Sequence, residues 1–428
     1  MKTIYCFVFC MLALTCGTMG QYACLFEGIT FTRQGQIDSF QINYPGCTRV
    51  QGSISIMGND IYNLEGLNVV TFIGGELWIF NNENLNDFTG LNALNYIGSD
   101  LSILQNDNLT SLNGLNNLIS VGGDLEILNN DILSTLTGPN VLTYVGGDLS
   151  ISQNNNLTSM EGMFSLQSVG GAIEISNNDA LNTLTGLSGL KTTSNDFAIR
   201  ENPLLTDLTG LPVLKSVGGT FEINGNSSMV SLSGMSTLKT IGGSLVIKLN
   251  PALTDLTALK TLKSIGYSLI INDNALLPSL SGIDNISPAS IINLFIYHNF
   301  SLSECEVKSI CEFLLNPNGI IDIHNNDVGC NSQLEIAEAC AVVSIDPVAP
   351  ERIFSVFPNP GSGIITIINE KKAQSNHFSL MNINGQRIMD QDLRDDRLVI
   401  DISVLPEGVY FIRITGRNTV QIEKFIKQ

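Results

Sequence analysis

The string VGGDLEILNND at 121–131 recurs along this chain at a fixed step. The first apolar residue of each copy stands at Leu77, Leu101, Leu125, Leu149, Ile173, Phe197, Phe221, Leu245 and Leu269, always 24 residues after the last. A copy one residue out of step begins at Ile54 and Ile56. Another follows a one-residue slip near Ser287 and Pro288, at Leu294 and Ile296. A period of this size specifies a solenoid rather than one globular core, because each coil buries its apolar side against the next. About eleven coils are expected across 51–302.

Each column of the repeat has its own physical task. Leu125-x-Ile127 alternates in and out, which predicts a short strand with one buried face, and Leu133, Leu136, Leu142 and Val145 continue the core. An Asn stands five residues after the strand's first residue in every regular coil: Asn82, Asn106, Asn130, Asn154, Asn178, Asn202, Asn226, Asn250 and Asn274. A buried amide there is expected to bond the turn backbone and its own copy in the next coil. The glycine pair, as in Gly122 and Gly123, is expected to supply positive φ and close approach where the chain turns back into the strand.

The net charge is −19, and its distribution excludes one class of partner. Residues 1–345 hold 11 Lys and Arg against 30 Asp and Glu, while 346–428 hold 10 of each, and no basic residue stands between Arg49 and Lys191. Such a surface repels phosphate backbones, so no nucleic acid is expected as a partner. Catalysis finds little material either. His298, His324 and His377 lie far apart in sequence, and no GxSxG, HExxH, phosphate-binding loop or EF-hand loop is present. The chain reads as a non-enzyme with no cofactor and no metal site.

Residues 1–20 read as a secretory signal, with Lys2, an apolar run from Ile4 to about Leu14, and small residues before Gln21. No later stretch is long and apolar enough to span a bilayer as a helix. Loss of the signal removes Cys6, Cys10 and Cys16 and leaves Cys24, Cys47, Cys305, Cys311, Cys330 and Cys340, an even set suited to disulfides in an exported protein. Cys24 and Cys47 most simply bridge each other. The other four allow three pairings.

The unit LxIxxNxxLxxLxGLxxLxxIGG, seen as LEILNNDILSTLTGPNVLTYVGG and LVIKLNPALTDLTALKTLKSIG, resembles the receptor L-domain variety of leucine-rich repeat over roughly 50–302. The resemblance implies a right-handed parallel β-solenoid serving recognition or adhesion. The regular coils depart from receptor ectodomains, which carry cysteine-rich modules between repeat blocks. A solenoid needs its ends covered: 21–50 is expected to form an N-terminal cap and 303–340 a C-terminal disulfide cap. In the second cap Ser303 is expected to start a helix running through about Leu315. IDIHNND forms a last strand, and Ser332 with Glu335 makes a capping box for a helix ending near Cys340.

A linker at 341–352 precedes a change of composition. FSVFPNPGSGIITII, HFSLMNINGQRIM, RLVIDISVL and GVYFIRIT read as strands of a small antiparallel Ig-like β-sandwich, with Asn384-Gly385 as a hairpin turn. FPNPGSG, LMNINGQRI, IDISVLPEGVYFIRI and the ending EKFIKQ resemble the type A sorting domain of the type IX secretion system, known from surface proteins of Bacteroidota, over 353–428. Pro358, Asn359, Pro360, Gly385, Gly408 and Tyr410 carry that resemblance. It implies handling by the type IX machinery, removal of the domain by a sortase-like peptidase, and attachment to the outer-membrane surface or release outside the cell.

The strands' outward positions are the candidate ligand site. Glu76, Asp100, Asp124, Asp148 and Asp196 stand just before the strands, with Glu126, Glu174 and Glu222 within them. Outward apolar residues gather at both ends, Trp78, Phe80, Leu104 and Leu128 at one and Val246, Ile270, Phe295 and Tyr297 at the other. The leading expectation is multivalent contact with a protein or glycan ligand by Trp78, Phe80, Asp100, Leu104, Asp124, Glu126, Leu128, Asp148 and Glu174. The alternative is a spacer of the surface layer with no specific ligand.

Overall fold

A computed structural model describes residues 23–343, 354–369, 376–382, 386–393, 397–415 and 420–428. The expected signal segment, most of the linker and Asn384-Gly385 lie outside these residues. The chain forms two separately packed units, divided after Val343.

The first unit is a parallel solenoid with a sheet of thirteen strands and a sheet of ten shorter ones. The long sheet keeps the 24-residue register through its regular part, with Leu125 opposite Leu101 and Leu149, and Ile127 opposite Ile103 and Ile151. Eleven of its strands fall within 51–302, as the repeat predicts. The caps add the other two, Ile29–Phe31 and Ile321–His324. Leu125, Ile127, Leu133, Leu136, Leu142 and Val145 are all buried in one continuous core. Each such side chain contributes about 1.5–3 kcal/mol on burial, so stability belongs to the stack rather than to any single coil.

The Asn column forms the expected ladder. Asn130 Nδ2 donates to the Leu128 and Ile103 carbonyls at 3.1 and 3.0 Å and reaches Asn154 Oδ1 at 3.2 Å. Its own Oδ1 accepts both the backbone N–H and the side-chain amide of Asn106. The pattern runs unbroken from Asn82 to Asn274 and on through Asn299 to Asn326.

The glycine pair differs from expectation in one respect. Positive φ is found not at Gly122 or Gly123 but immediately before each ladder Asn, at Asn81, Gln105, Asn129, Gln153 and their equivalents, and at a separate single-glycine column that includes Gly114 and Gly138. The pair serves close approach alone. A Cβ on Gly122 would lie 2.2 Å from the Gly98 carbonyl oxygen, and one on Gly123 would lie 2.0 Å from Asp100 Oδ1.

Disulfides join Cys24 to Cys47, Cys305 to Cys330 and Cys311 to Cys340, which selects one of the three pairings left open for the second cap. Its first helix is Lys308–Leu315, capped by Val307 rather than started by Ser303. The intervening residues still belong to a coil: Glu304 bridges Ser279, and Leu302 and Cys305 are buried. The last helix, Gln333–Val343, extends past Cys340 into the expected linker. Only half of its capping box forms. Ser332 Oγ accepts the Glu335 N–H at 3.2 Å, whereas the Glu335 carboxylate takes the Gly329 and Asn331 N–H groups.

The second unit has one three-stranded and one four-stranded antiparallel sheet enclosing Phe354, Ile365, Ile367, Phe378, Leu380, Ile412 and Phe425. Its FPNPG segment ties down the final strand. Asn359, between Pro358 and Pro360, donates to the Lys424 carbonyl at 2.7 Å and accepts the Ile426 N–H at 3.0 Å. Tyr410, two residues after Gly408, donates its hydroxyl to the Pro406 carbonyl at 2.7 Å. On the hairpin formed by Asn376–Asn382 and Arg387–Leu393, His377 Nδ1 lies 3.0 Å from Asp392 and Nε2 lies 2.9 Å from Asp390. Only an imidazolium can donate from both nitrogens, so these bonds raise the histidine's pKa, Asp392 contributing most.

Two outcomes follow. Asn154→Leu should strip partners from several buried groups and destabilise the solenoid by about 2–4 kcal/mol. Asn155→Ala on the exposed turn should cost less than about 0.5 kcal/mol, both read by urea melts. His377 should titrate by NMR above the ordinary histidine value of about 6.5, falling back in Asp392→Asn. Because the folded value is the raised one, its stabilisation is fully present below about pH 6.5 and is lost as pH climbs through the folded value.

Candidate functional site: the outer strand face

Strand alternation sends two residues per coil to the outer face of the long sheet, and parallel register stacks them into columns about 4.8 Å apart. The column just before the strands has a structural task first. Asp100 Oδ1 accepts the Asp124 N–H at 2.8 Å, Asp124 that of Asp148 at 2.7 Å, and Asp148 that of Ala172 at 2.7 Å. Asp196 repeats the contact with Thr220 at 2.6 Å. One oxygen of each carboxylate therefore clamps the following coil. Glu76, at the head of the column, has its pKa raised by burial and then by Asp100 and Glu126.

Three zones divide the face. In the N-terminal zone the Trp78 and Phe80 rings stack with centroids 5.1 Å apart and planes at 7°. Phe80 stands opposite Leu104, and Leu104 opposite Leu128, giving an apolar row over three coils. Glu126 borders it, accepting the Ser102 hydroxyl at 3.0 Å. All four apolar residues are half-buried.

The central zone is a line of alternating charge. Arg200 reaches Glu174 at 3.2 Å and holds Glu222 through Nε at 3.0 Å, and Lys248 reaches Glu222 at 3.1 Å. Burial raises the Glu222 pKa, but the hydrogen bonds from Arg200 and Lys248 outweigh it and hold the carboxyl below its ordinary range. Glu174, expected as a ligand contact, thus has an intramolecular partner. Arg200 and Lys248 were not singled out from sequence, although their positions four residues into the strand pattern placed them beside these acids.

The C-terminal zone gathers Val246, Ile270, Phe295 and Tyr297 on adjacent strands. Tyr297 stacks on His324 with centroids 5.2 Å apart, and the rings of His298 and His324 are 5.4 Å apart. These histidines, distant in sequence, meet because FIYHN and IDIHN occupy neighbouring coils with Tyr297 opposite His324. His298 lies 3.3 Å from Asp273, and His324 lies 3.5 Å from Asp322. Among the described residues no group of three His, Cys, Asp or Glu side chains is placed to hold a metal ion. All six described cysteines are in disulfides.

Comparison with known families agrees with both units. Residues 46–139 match the Receptor L domain, and residues 355–428 match the Secretion system C-terminal sorting domain. The chain joins a parallel solenoid whose first coils match the receptor L domain to a C-terminal unit that matches the type IX sorting domain. The L-domain match covers the N-terminal cap's end and the first coils, including the whole Trp78 zone, and the same coil geometry continues to His324. The sorting domain assigns the protein to type IX export, to the cell surface or the extracellular space. No helix among the described residues is long and apolar enough to cross a membrane. No curated protein matches the chain.

Replacing Arg200 with Leu should raise the Glu222 pKa, measured by carbon NMR of the carboxyl group. The stabilisation from its depressed value is present above about pH 4.3 and is lost as pH falls through the folded value.

Proposed function

We propose that this protein is a non-enzymatic recognition or adhesion molecule of the cell surface that binds a protein or glycan through the N-terminal zone of its L-domain solenoid. The supporting observation is the Trp78–Phe80 stack continued by Leu104 and Leu128, an aromatic and aliphatic row on a rigid sheet. Aromatic rings supply large contact area at low entropic cost and stack on the apolar faces of sugars as readily as on protein side chains. Asp100, Asp124, Glu126 and Asp148 border the row and supply acceptors for hydroxyl or basic groups, while Glu174 contributes through its pair with Arg200. The family match, over residues 46–139, covers the coils of the Trp78, Phe80, Leu104 and Leu128 row, and surface export brings the face into contact with external partners.

The sorting domain is read as the part engaged by the type IX machinery and then removed by a sortase-like peptidase, leaving the solenoid attached to the outer membrane surface. Mass spectrometry of the mature surface form should find no peptide ending in Lys427-Gln428. A glycan and protein array with the purified chain tests the binding role. A selective binder should be lost at least tenfold in Trp78→Ala, a change of about 1.4 kcal/mol or more, and weakened in Asp124→Asn with melting unchanged. An array without binders at high concentration would favour a surface-layer spacer instead.

A further inference from the structure

The flank of the short-strand sheet, away from the outer strand face, carries a column of basic side chains. Lys191, Lys215, Lys239 and Lys263 occupy one column in four consecutive coils. Their backbones are directly bonded in sequence. Lys215 N–H donates to the Lys191 carbonyl at 2.8 Å, Lys239 to Lys215 at 2.9 Å and Lys263 to Lys239 at 2.8 Å. All four side chains are exposed, as is Lys260 on the last of these coils. Gln167 and Ser287 end the column on either side.

Stacking like charges at the coil spacing is unfavourable, and solvent screens only part of the repulsion. Lys248 and Lys308, by contrast, pair with Glu222 and Glu312. None of these five lysines has an acidic partner among the described residues; Lys191 Nζ instead donates to Gln167 Oε1 at 2.9 Å. No Asp or Glu occurs at 180–195, 208–221, 223–254 or 256–272, so the columns on either side are free of acid in these coils. The next column holds Thr192, Ser216, Thr240 and Ser264, in register. A chain of net charge −19 thus presents one straight basic ridge with hydroxyl groups beside it.

We propose that this ridge binds a linear anionic polysaccharide lying along the solenoid axis, with a carboxylate or sulfate on each sugar meeting successive lysines. Thr192, Ser216, Thr240 and Ser264 then exchange hydrogen bonds with the sugar hydroxyls. A single sugar chain stays on the ridge, whereas a wide polyanion such as duplex DNA meets the repulsion of the acidic surface as a whole.

The test is affinity electrophoresis of the full chain at low ionic strength against polygalacturonate, dextran sulfate and neutral dextran. Retention is expected in one or both anionic gels, absent with neutral dextran, and falling with added salt. A Lys215→Gln/Lys239→Gln variant, with unchanged melting, should bind at least tenfold more weakly and show a log–log salt slope smaller by about two. Lys308→Gln and Trp78→Ala should be retained as the parent is, which separates this ridge from the strand-face site. Equal retention of the double variant, retention no greater in anionic than in neutral gels, or tighter binding to duplex DNA than to either polysaccharide would overturn the proposal.

Discussion

The buried amide of the Asn ladder is the interaction on which the rest of this structure depends. A coil of 24 residues must turn away from its strand inside a region from which water is excluded, and the turning backbone exposes carbonyl and N–H groups that the sheets do not pair. The Asn130 side-chain amide satisfies carbonyls in its own coil and the one before, and its backbone N–H donates to Asn154 Oδ1. Leaving such groups unpaired would cost about 1–3 kcal/mol each. Once each coil is closed this way, apolar stacking follows from register alone, and every outward column becomes a straight line of side chains.

That linearity explains how one solenoid carries surfaces of different chemistry. The aromatic row at Trp78, the charge line from Glu174 to Lys248 and the lysine ridge each occupy columns that the core does not need. The Asp column is the exception, since Asp100, Asp124 and Asp148 hold the next coil's N–H groups while bordering the candidate ligand face. Their conversion to Asn preserves an acceptor, whereas conversion to an apolar residue removes the clamp.

Periodicity made much of this legible in the sequence. The repeat located all eleven central strands, and alternation within Leu-x-Ile assigned the inward side chains, because both depend on local spacing. Contacts set by three-dimensional closure were harder to read. The left-handed position is rich in Asn but also accepts Gln, Glu, Asp, His, Gly and even Leu249, so its signal is diluted, whereas the glycine pair is the more conspicuous candidate. Ser303 had the chemistry of a helix cap but remained in a coil because Leu302 and Cys305 are core residues. The pairing of Cys305 with Cys330 required knowing how the last coil closes. The closeness of His298 and His324 depends on a register that sets Tyr297, not His298, opposite His324, one residue off the alignment of FIYHN with IDIHN. The candidate ligand columns were legible as outward positions, but the partners of Glu174 and the clamped oxygens of the Asp column depend on side-chain geometry.

The Asn ladder also has a direction. At one end Asn82 Oδ1 receives the Gly58 N–H, and at the other Asn326 gives its N–H to Asn331 Oδ1. The two termini are therefore chemically unlike, one donating into the series and the other accepting from it, as in a filament with distinct ends. Whole coils gained or lost from the interior leave both terminal reactions of the series intact. Lineages of such a chain can lengthen or shorten their display surface by unit steps while the caps stay unchanged.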